Sequence, residues 1–216
     1  MPRYAPLWFL VLLVASAAVL RPAAPAGVAA APGPAPAGIQ RFVIVPAESQ
    51  VSYRVAETLF NQNNRLNIAV GTTNAIKGEI TIDRARPANS RIGTVTVDIS
   101  QFKSDSARRD NMIRENWLES SKFPIAEFTP TEVRGFPETY QDGREIPLQV
   151  TGHLRIRNVV KPATFAVTVR LDGATLTGVA TTTILMTDFG FDPPSILGIL
   201  KAENEARLEL RFVARP

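Results

Sequence analysis

From residue 39 onward, apolar and polar side chains alternate with a period of two, the repeat of a strand with one dry face and one wet face. Ala206, Leu208, Leu210 and Phe212 alternate with Glu205, Arg207, Glu209 and Arg211. Phe165, Val167, Val169 and Leu171 alternate with Thr164, Ala166, Thr168 and Arg170, and Leu148, Val150, Leu154 and Ile156 share Gly152's register against Gln149, Thr151, His153 and Arg155. Ile76, Ile80 and Ile82 oppose Lys77, Glu79, Thr81 and Asp83, and Val95, Val97 and Ile99 oppose Thr94, Thr96 and Asp98. Val51, Tyr53 and Val55, then Leu66, Ile68 and Val70, give two further inward sets, and the stretch from Leu176 to Met186 another. The pattern predicts roughly eight long strands after a short one around Phe42 to Val45.

Strands apolar on one face only belong to an antiparallel sheet, because parallel sheets covered by helices read as continuous apolar runs. Such a sheet must pack on a second sheet or close on itself, and closure removes exposed edges. Strands of about 9 to 12 residues are long for a sandwich, where about 5 to 6 is usual. The fold expected is therefore all-β: an extended antiparallel barrel of about eight strands, whose interior is either just filled or able to hold one apolar ligand. Gly78, Gly152 and Gly178 fall on or near the inward register. They leave volume unfilled or mark bends of the barrel wall, and the pattern leaves both open.

Ser104 to Ser121 breaks the alternation, opens with Ser and Asp as caps, and pairs Ile113 with Trp117 four residues on. It predicts a short helical segment over one end of the barrel. Pro124, Pro130, Pro137 and Pro147 punctuate the next stretch of chain, and residues 135 to 145 form a long loop.

Residues 1 to 38 differ from the rest, with 12 Ala, 7 Pro, no acidic residue and only Arg3 and Arg21 as basic ones. Leu7 to Leu20 is an apolar run of 14 residues interrupted only by Ser16. Residues 1–21 read as a signal peptide, with small residues around Ala15 to Ala17 and Ala29 to Ala31 for cleavage, or as an uncleaved N-terminal membrane anchor using residues 4–20. Residues 22–38 form a Pro/Ala-rich disordered linker, spanning roughly 50 Å if extended at about 3.1 Å per residue. Both readings place the domain, residues 39–216, outside the cytoplasm, periplasmic or secreted, with membrane association through the leading segment in the second. A homodimer stays open.

Composition mainly excludes. Without Cys there is no disulfide, no thiolate nucleophile and no lipid-modified cysteine, so the domain's core must suffice alone. A single His, His153, sits on the wet register beside Arg155 and supports neither an imidazole metal site nor a Ser-His triad. With Arg3 and Arg21 set aside, residues 39–216 carry a net charge of +2, which gives no footprint for nucleic acid. No catalytic, metal or cofactor residue emerges. An enzyme would need polar groups on the inward register, where Thr182 stands out as an exception.

Three blocks together resemble a known family. They are Arg109-Asp110-Asn111-Met112-Ile113-Arg114 with Trp117-Leu118 and Phe123-Pro124; Gly152-His153-Leu154-Arg155-Ile156-Arg157-Asn158-Val159-Val160-Lys161-Pro162; and Thr187-Asp188-Phe189-Gly190-Phe191. In order and spacing they are similar to the YceI-like proteins, bacterial lipid- and polyisoprenoid-binding barrels, over essentially residues 39 to 214. Met112 stands where the family commonly has His, and Asn158 where it has a Gly, a substitution that still permits a positive φ. The resemblance implies a lipocalin-like barrel holding an isoprenoid chain, with an isoprenoid-quinone or polyprenyl-phosphate type of head, and no catalytic residue or cofactor. It favours a cavity over a filled interior. It implies that Tyr53, Val55, Ile80, Val97, Phe128, Leu154, Phe165, Val167, Leu208 and Leu210 contact the chain. Arg108, Arg109, Asp110 and Arg114 then crowd the mouth, where they either meet the head group or form a solvated face of ion pairs with Asp105, Asp110 and Glu115. Asp188 is expected to accept backbone N–H groups beside the Gly190 turn. A ligand-free envelope scaffold, or an enzyme acting on an isoprenoid lipid, are the alternatives.

Overall fold

The computed structural model describes residues 38–216. The signal or anchor assignment of residues 1–21, and the linker assignment of residues 22–38 apart from Gly38, lie outside them. The strands are β1 (Ile39–Ile44), β2 (Gln50–Leu59), β3 (Arg65–Thr73), β4 (Ile76–Lys77), β5 (Glu79–Asp83), β6 (Arg91–Ile92) and β7 (Val95–Asp98). After helix α1 (Ala107–Met112) come β8 (Ile125–Arg134), β9 (Glu145–Ile156), β10 (Val159–Asp172), β11 (Thr175–Leu185), β12 (Ser195–Ile196) and β13 (Leu200–Arg215). All lie in one sheet of 13 strands, paired antiparallel throughout.

The sheet curls until it meets itself. Hydrogen-bonded neighbours run β3-β2-β13-β11-β10-β9-β8-β7-β4, and β4 continues the chain of β3 across only Asn74 and Ala75. One long segment, residues 65–83, thus pairs with β2, then β7, then β1, and completes a lipocalin-like ring of eight walls. Past Asp98 the wall passes to a 3-10 turn (Ile99–Gln101), α1 and a π-helical turn (Ile113–Trp117). Ser106 caps α1, its hydroxyl accepting the Arg109 N–H at 3.3 Å. At this end the helical segment stands where the strand wall stops.

The inward registers of β9, β10, β11 and β13 are as the alternation predicts. β3 is not. Leu66 and Ile68 are 81% and 61% exposed, while Ala69, Gly71 and Thr73 are buried. Antiparallel partners share a face, so Val55 opposite Ala69 and Tyr53 opposite Gly71 set the register, which overrides the apolar residues of β3.

The glycines neither leave voids nor act alike. A Cβ on Gly178 would stand 2.6 Å from the Phe212 ring, and one on Gly71 2.2 Å from the Tyr53 ring, so cross-strand aromatics lie over bare backbone. On Gly152 a Cβ would meet the Thr129 carbonyl oxygen at 2.4 Å and the Phe128 ring at 2.8 Å. Gly152 also faces a register shift between Pro130 and Glu132, so of the two readings the bend applies to it.

Candidate functional site

A cavity of 470 Å³ runs inside the ring, within the range of small-molecule sites. All ten residues expected on the inner wall line it: Tyr53, Val55, Ile80, Val97, Phe128, Leu154, Phe165, Val167, Leu208 and Leu210. Several, such as Leu208, Leu210 and Phe128, are only partly buried because the lumen they face is empty of protein atoms. Phe128 and Phe165 meet edge to face at 4.7 Å, which fixes two of the rings. Met112, at the position where a His was expected from the resemblance, adds a thioether to the apolar wall.

Two lining residues are exposed, Arg108 and Ile199, and both flank the α1 end, so the cavity meets solvent there. The expected mouth residues divide. Arg108 and Arg109 line the cavity; Asp110 and Arg114 do not. Asp110 is buried and accepts from the Ser104 amide at 2.9 Å and hydroxyl at 2.7 Å. Arg114 donates to the Phe102 carbonyl at 3.1 Å and to Asn111 Oδ1 at 2.8 Å. Both hold the helical segment in place. Of the expected ion pairs, Arg109 with Asp105 is present.

Arg109 has a second partner, Glu57, which the alternation of β2 contains but which its apolar residues do not single out. Glu57 continues the Tyr53, Val55 register one step further, inward and buried, with its side chain 5% exposed. Its Oε1 accepts from Arg109 Nη2 at 3.1 Å and from Asn67 Nδ2 at 2.8 Å. Glu57 lines the cavity beside Tyr53. The inner wall therefore carries charged groups at this end, so the inward register holds polar side chains beyond Thr182. Thr182 itself donates to the Thr164 carbonyl at 2.9 Å. Burial first, then the carboxylate of Asp110, with Arg109 opposing and Glu57 and Asp105 adding, pushes the Tyr53 hydroxyl up to about 12.

Arg157 and the Asp188 to Phe191 turn border the same end. Arg157 bonds the Trp117 carbonyl at 3.4 Å, the Gly190 carbonyl at 3.2 Å and the Glu119 carboxylate, and stacks on Phe191 at 6.0 Å. The positive φ expected at Asn158 falls on Arg157 instead, at 57°. These three anchors hold an L-residue where the β9-β10 turn needs a left-handed one. Gly190 takes the left-handed conformation as expected, φ 77°. Asp188 is exposed and does not accept the backbone N–H groups expected of it among the described residues; its turn is held instead by the Thr187 amide, which donates to Asn204 Oδ1 at 3.1 Å, and by Asn204 Nδ2, which donates to Thr187 Oγ1 at 2.9 Å. Phe189 is the buried member, against Leu154 and Ile156. His153 is exposed.

The UPF0312 protein of Pseudomonas putida strain W619 is 34% identical over 131 residues, 57% of this chain and 64% of that protein. Protein YceI of Escherichia coli O157:H7 is 34% identical over 95 residues, 44% of this chain and 45% of that one. The chain spans less than two thirds of the length of these relatives. Among solved structures, Burkholderia cenocepacia BcnA superposes with a TM-score of 0.60 at 21% identity, covering 79% of this chain and 98% of that one. A polyisoprenoid binding domain from Saccharophagus degradans gives 0.58 at 12% identity, with 82% and 99% covered. The model of the YceI-like domain matches residues 42–214, nearly the whole ring, and the chain belongs to the YceI-like family.

Proposed function

We propose that this chain is a binding protein that holds a polyisoprenoid or similar amphipathic lipid in its barrel, for transport, storage or stress protection. The observation that carries the proposal is the 470 Å³ cavity walled mainly by apolar side chains, with Glu57, Arg108 and Arg109 at its α1 end. Hydrocarbon leaving water contributes roughly 0.8 kcal/mol per methylene, so ten chain carbons supply on the order of 8 kcal/mol before the costs of ordering. The ten wall residues named above contact the chain, and Arg108 and Arg109 stand where it leaves the lumen. The structural likeness to a domain described as polyisoprenoid binding supports this reading. The protein acts by binding and not by catalysis.

The composition of residues 1–38 supports action outside the cytoplasm, as a secreted or periplasmic protein or one tethered through residues 4–20. The amino-terminal residue of the protein recovered from its host separates cleavage from anchoring.

Native mass spectrometry of the chain purified from its host tests the function. A co-purified hydrophobic compound released by organic solvent is the expected result. Its absence under every growth condition favours the scaffold reading, and chemical change in an added isoprenoid would reveal an enzyme.

A further inference from the structure

Glu57 is an unusual residue to find in a greasy tube. Its side chain is 5% exposed and lines the cavity, and both of its protein donors, Arg109 Nη2 and Asn67 Nδ2, converge on Oε1. Oε2 has no hydrogen-bond partner among the described residues. The neighbouring Tyr53 hydroxyl has none either, although it too lines the cavity. Tyr53's ring lies over Gly71 with Phe102 edge-on at 5.2 Å, which presents the hydroxyl to the lumen. Neither atom is sealed from water, since the buried side-chain atoms without a partner among the described residues are on Arg84 and Arg157, but both keep hydrogen-bonding capacity free toward the same lumen.

Charge decides what could satisfy them. Arg109, the cation nearest to the pair, is already matched by Glu57 and Asp105. Arg108 is the other cation lining the cavity, and it is exposed at the rim. A phosphate brought to this end would meet a carboxylate oxygen with no free buried cation to offset it. A quinone carbonyl, an acceptor only, would satisfy Tyr53 and leave Oε2 unpaired.

We propose that Glu57 Oε2 and the Tyr53 hydroxyl form a head-group subsite for an uncharged hydrogen-bond donor, the class of the isoprenoid alcohols. The head donates its O–H to Glu57 and accepts from Tyr53, while the chain runs down the barrel. The inference rests on the lipid-binding reading and narrows it, setting aside phosphate and oxidised quinone heads.

Titration of the purified chain with geranylgeraniol, geranylgeranyl phosphate and the headless hydrocarbon phytane, read by the fluorescence of cavity-lining Trp117, tests it. The alcohol should bind about tenfold tighter than the other two, the size of one charge-assisted hydrogen bond. Glu57→Gln should remove most of that advantage and strengthen phosphate binding, because Arg109 loses a counter-charge. Tyr53→Phe keeps the ring over Gly71 and should weaken the alcohol several-fold with phytane unchanged. If Glu57→Gln melts early from its lost ion pair, Tyr53→Phe decides the matter. A phosphate that outbinds the alcohol, or an alcohol preference untouched by both variants, overturns the subsite while lipid holding stands. Binding of none of the three overturns both.

Discussion

At the scale of single residues, the barrel's volume is allotted by pairs of a ring and a glycine. Tyr53 lies over Gly71, Phe212 over Gly178 and Phe128 over Gly152, and a Cβ at any of these would collide. The collisions are not equivalent. At Gly71 and Gly178 the nearest obstacles are ring atoms, which can swing toward the lumen; at Gly152 they include the Thr129 carbonyl and Pro130 Cα, which cannot. Gly152→Ala should therefore cost about 1 to 3 kcal/mol and more than Gly71→Ala, as chemical denaturation would measure. The wall is equally asymmetric toward charge. Leu154→Arg or Val167→Arg would bury an unpaired guanidinium and should cost several kcal/mol and abolish lipid retention. Arg155→Ala, one residue away, removes only a half-exposed pair with Glu127 at 3.0 Å and should change stability by less than about 0.5 kcal/mol. Equal damage from neighbouring positions would mean that the facing is wrong.

At the scale of elements, the four long strands from β9 to β13 were legible because each alternates cleanly, and pairing preserved their facing. β3 was misread for a reason internal to β pairing. Its own apolar residues Leu66 and Ile68 argued for one face, but a strand's facing is set by its partner, and β2 placed Ala69 and Gly71 inward. Glu57 was missed because the apolar set on β2 ends at Val55, although period two continues to it. The head of the cavity depends on contacts far apart in sequence, such as Glu57 with Arg109, which alternation cannot register. The same holds for Arg157, which joins the end of the helical segment to the Gly190 turn across 33 to 40 positions. Arg157→Ala should lower the melting temperature by several degrees, since two charge-assisted bonds to carbonyls are lost together. Arg157→Lys should recover only part of this, because an ammonium cannot span three acceptors as the planar fork does. Full recovery by Lys would show that charge alone holds the junction.

For the molecule as a whole, the ring is fastened at scattered points by ionised groups, and these set how stability depends on pH. Hydrogen bonds hold five carboxylates below their usual range: Glu48 by Arg215, Asp83 by the Arg86 amide, Glu119 by Lys122, Asp142 by the Tyr140 hydroxyl and Glu209 by Arg211. A lowered folded-state pKa means that the native protein binds fewer protons than the unfolded chain. That stabilisation is present above the usual carboxylate range and is lost as pH falls through it, so the melting temperature should drop below about pH 4.5. On the alkaline side two phenols are held above their usual range, Tyr140 by burial and its bond to Asp142 and Tyr53 by burial at the lumen. Tyr53, pushed up to about 12 mainly by burial, ionises near 10 when unfolded. Between those values the native protein binds more protons, so stability should decline as pH rises through that window. Filling the cavity changes this limb selectively. A chain lying against Tyr53 removes the lumen water that would solvate a phenolate, and a head group that donates to Glu57 leaves that carboxylate's repulsion in place. Lipid-loaded protein should therefore show the Tyr53 phenolate absorbance appearing at still higher pH than the delipidated protein, with the acid limb unmoved. A phenolate titration identical in the two forms would place the bound chain away from Tyr53, and with it away from the α1 end of the barrel.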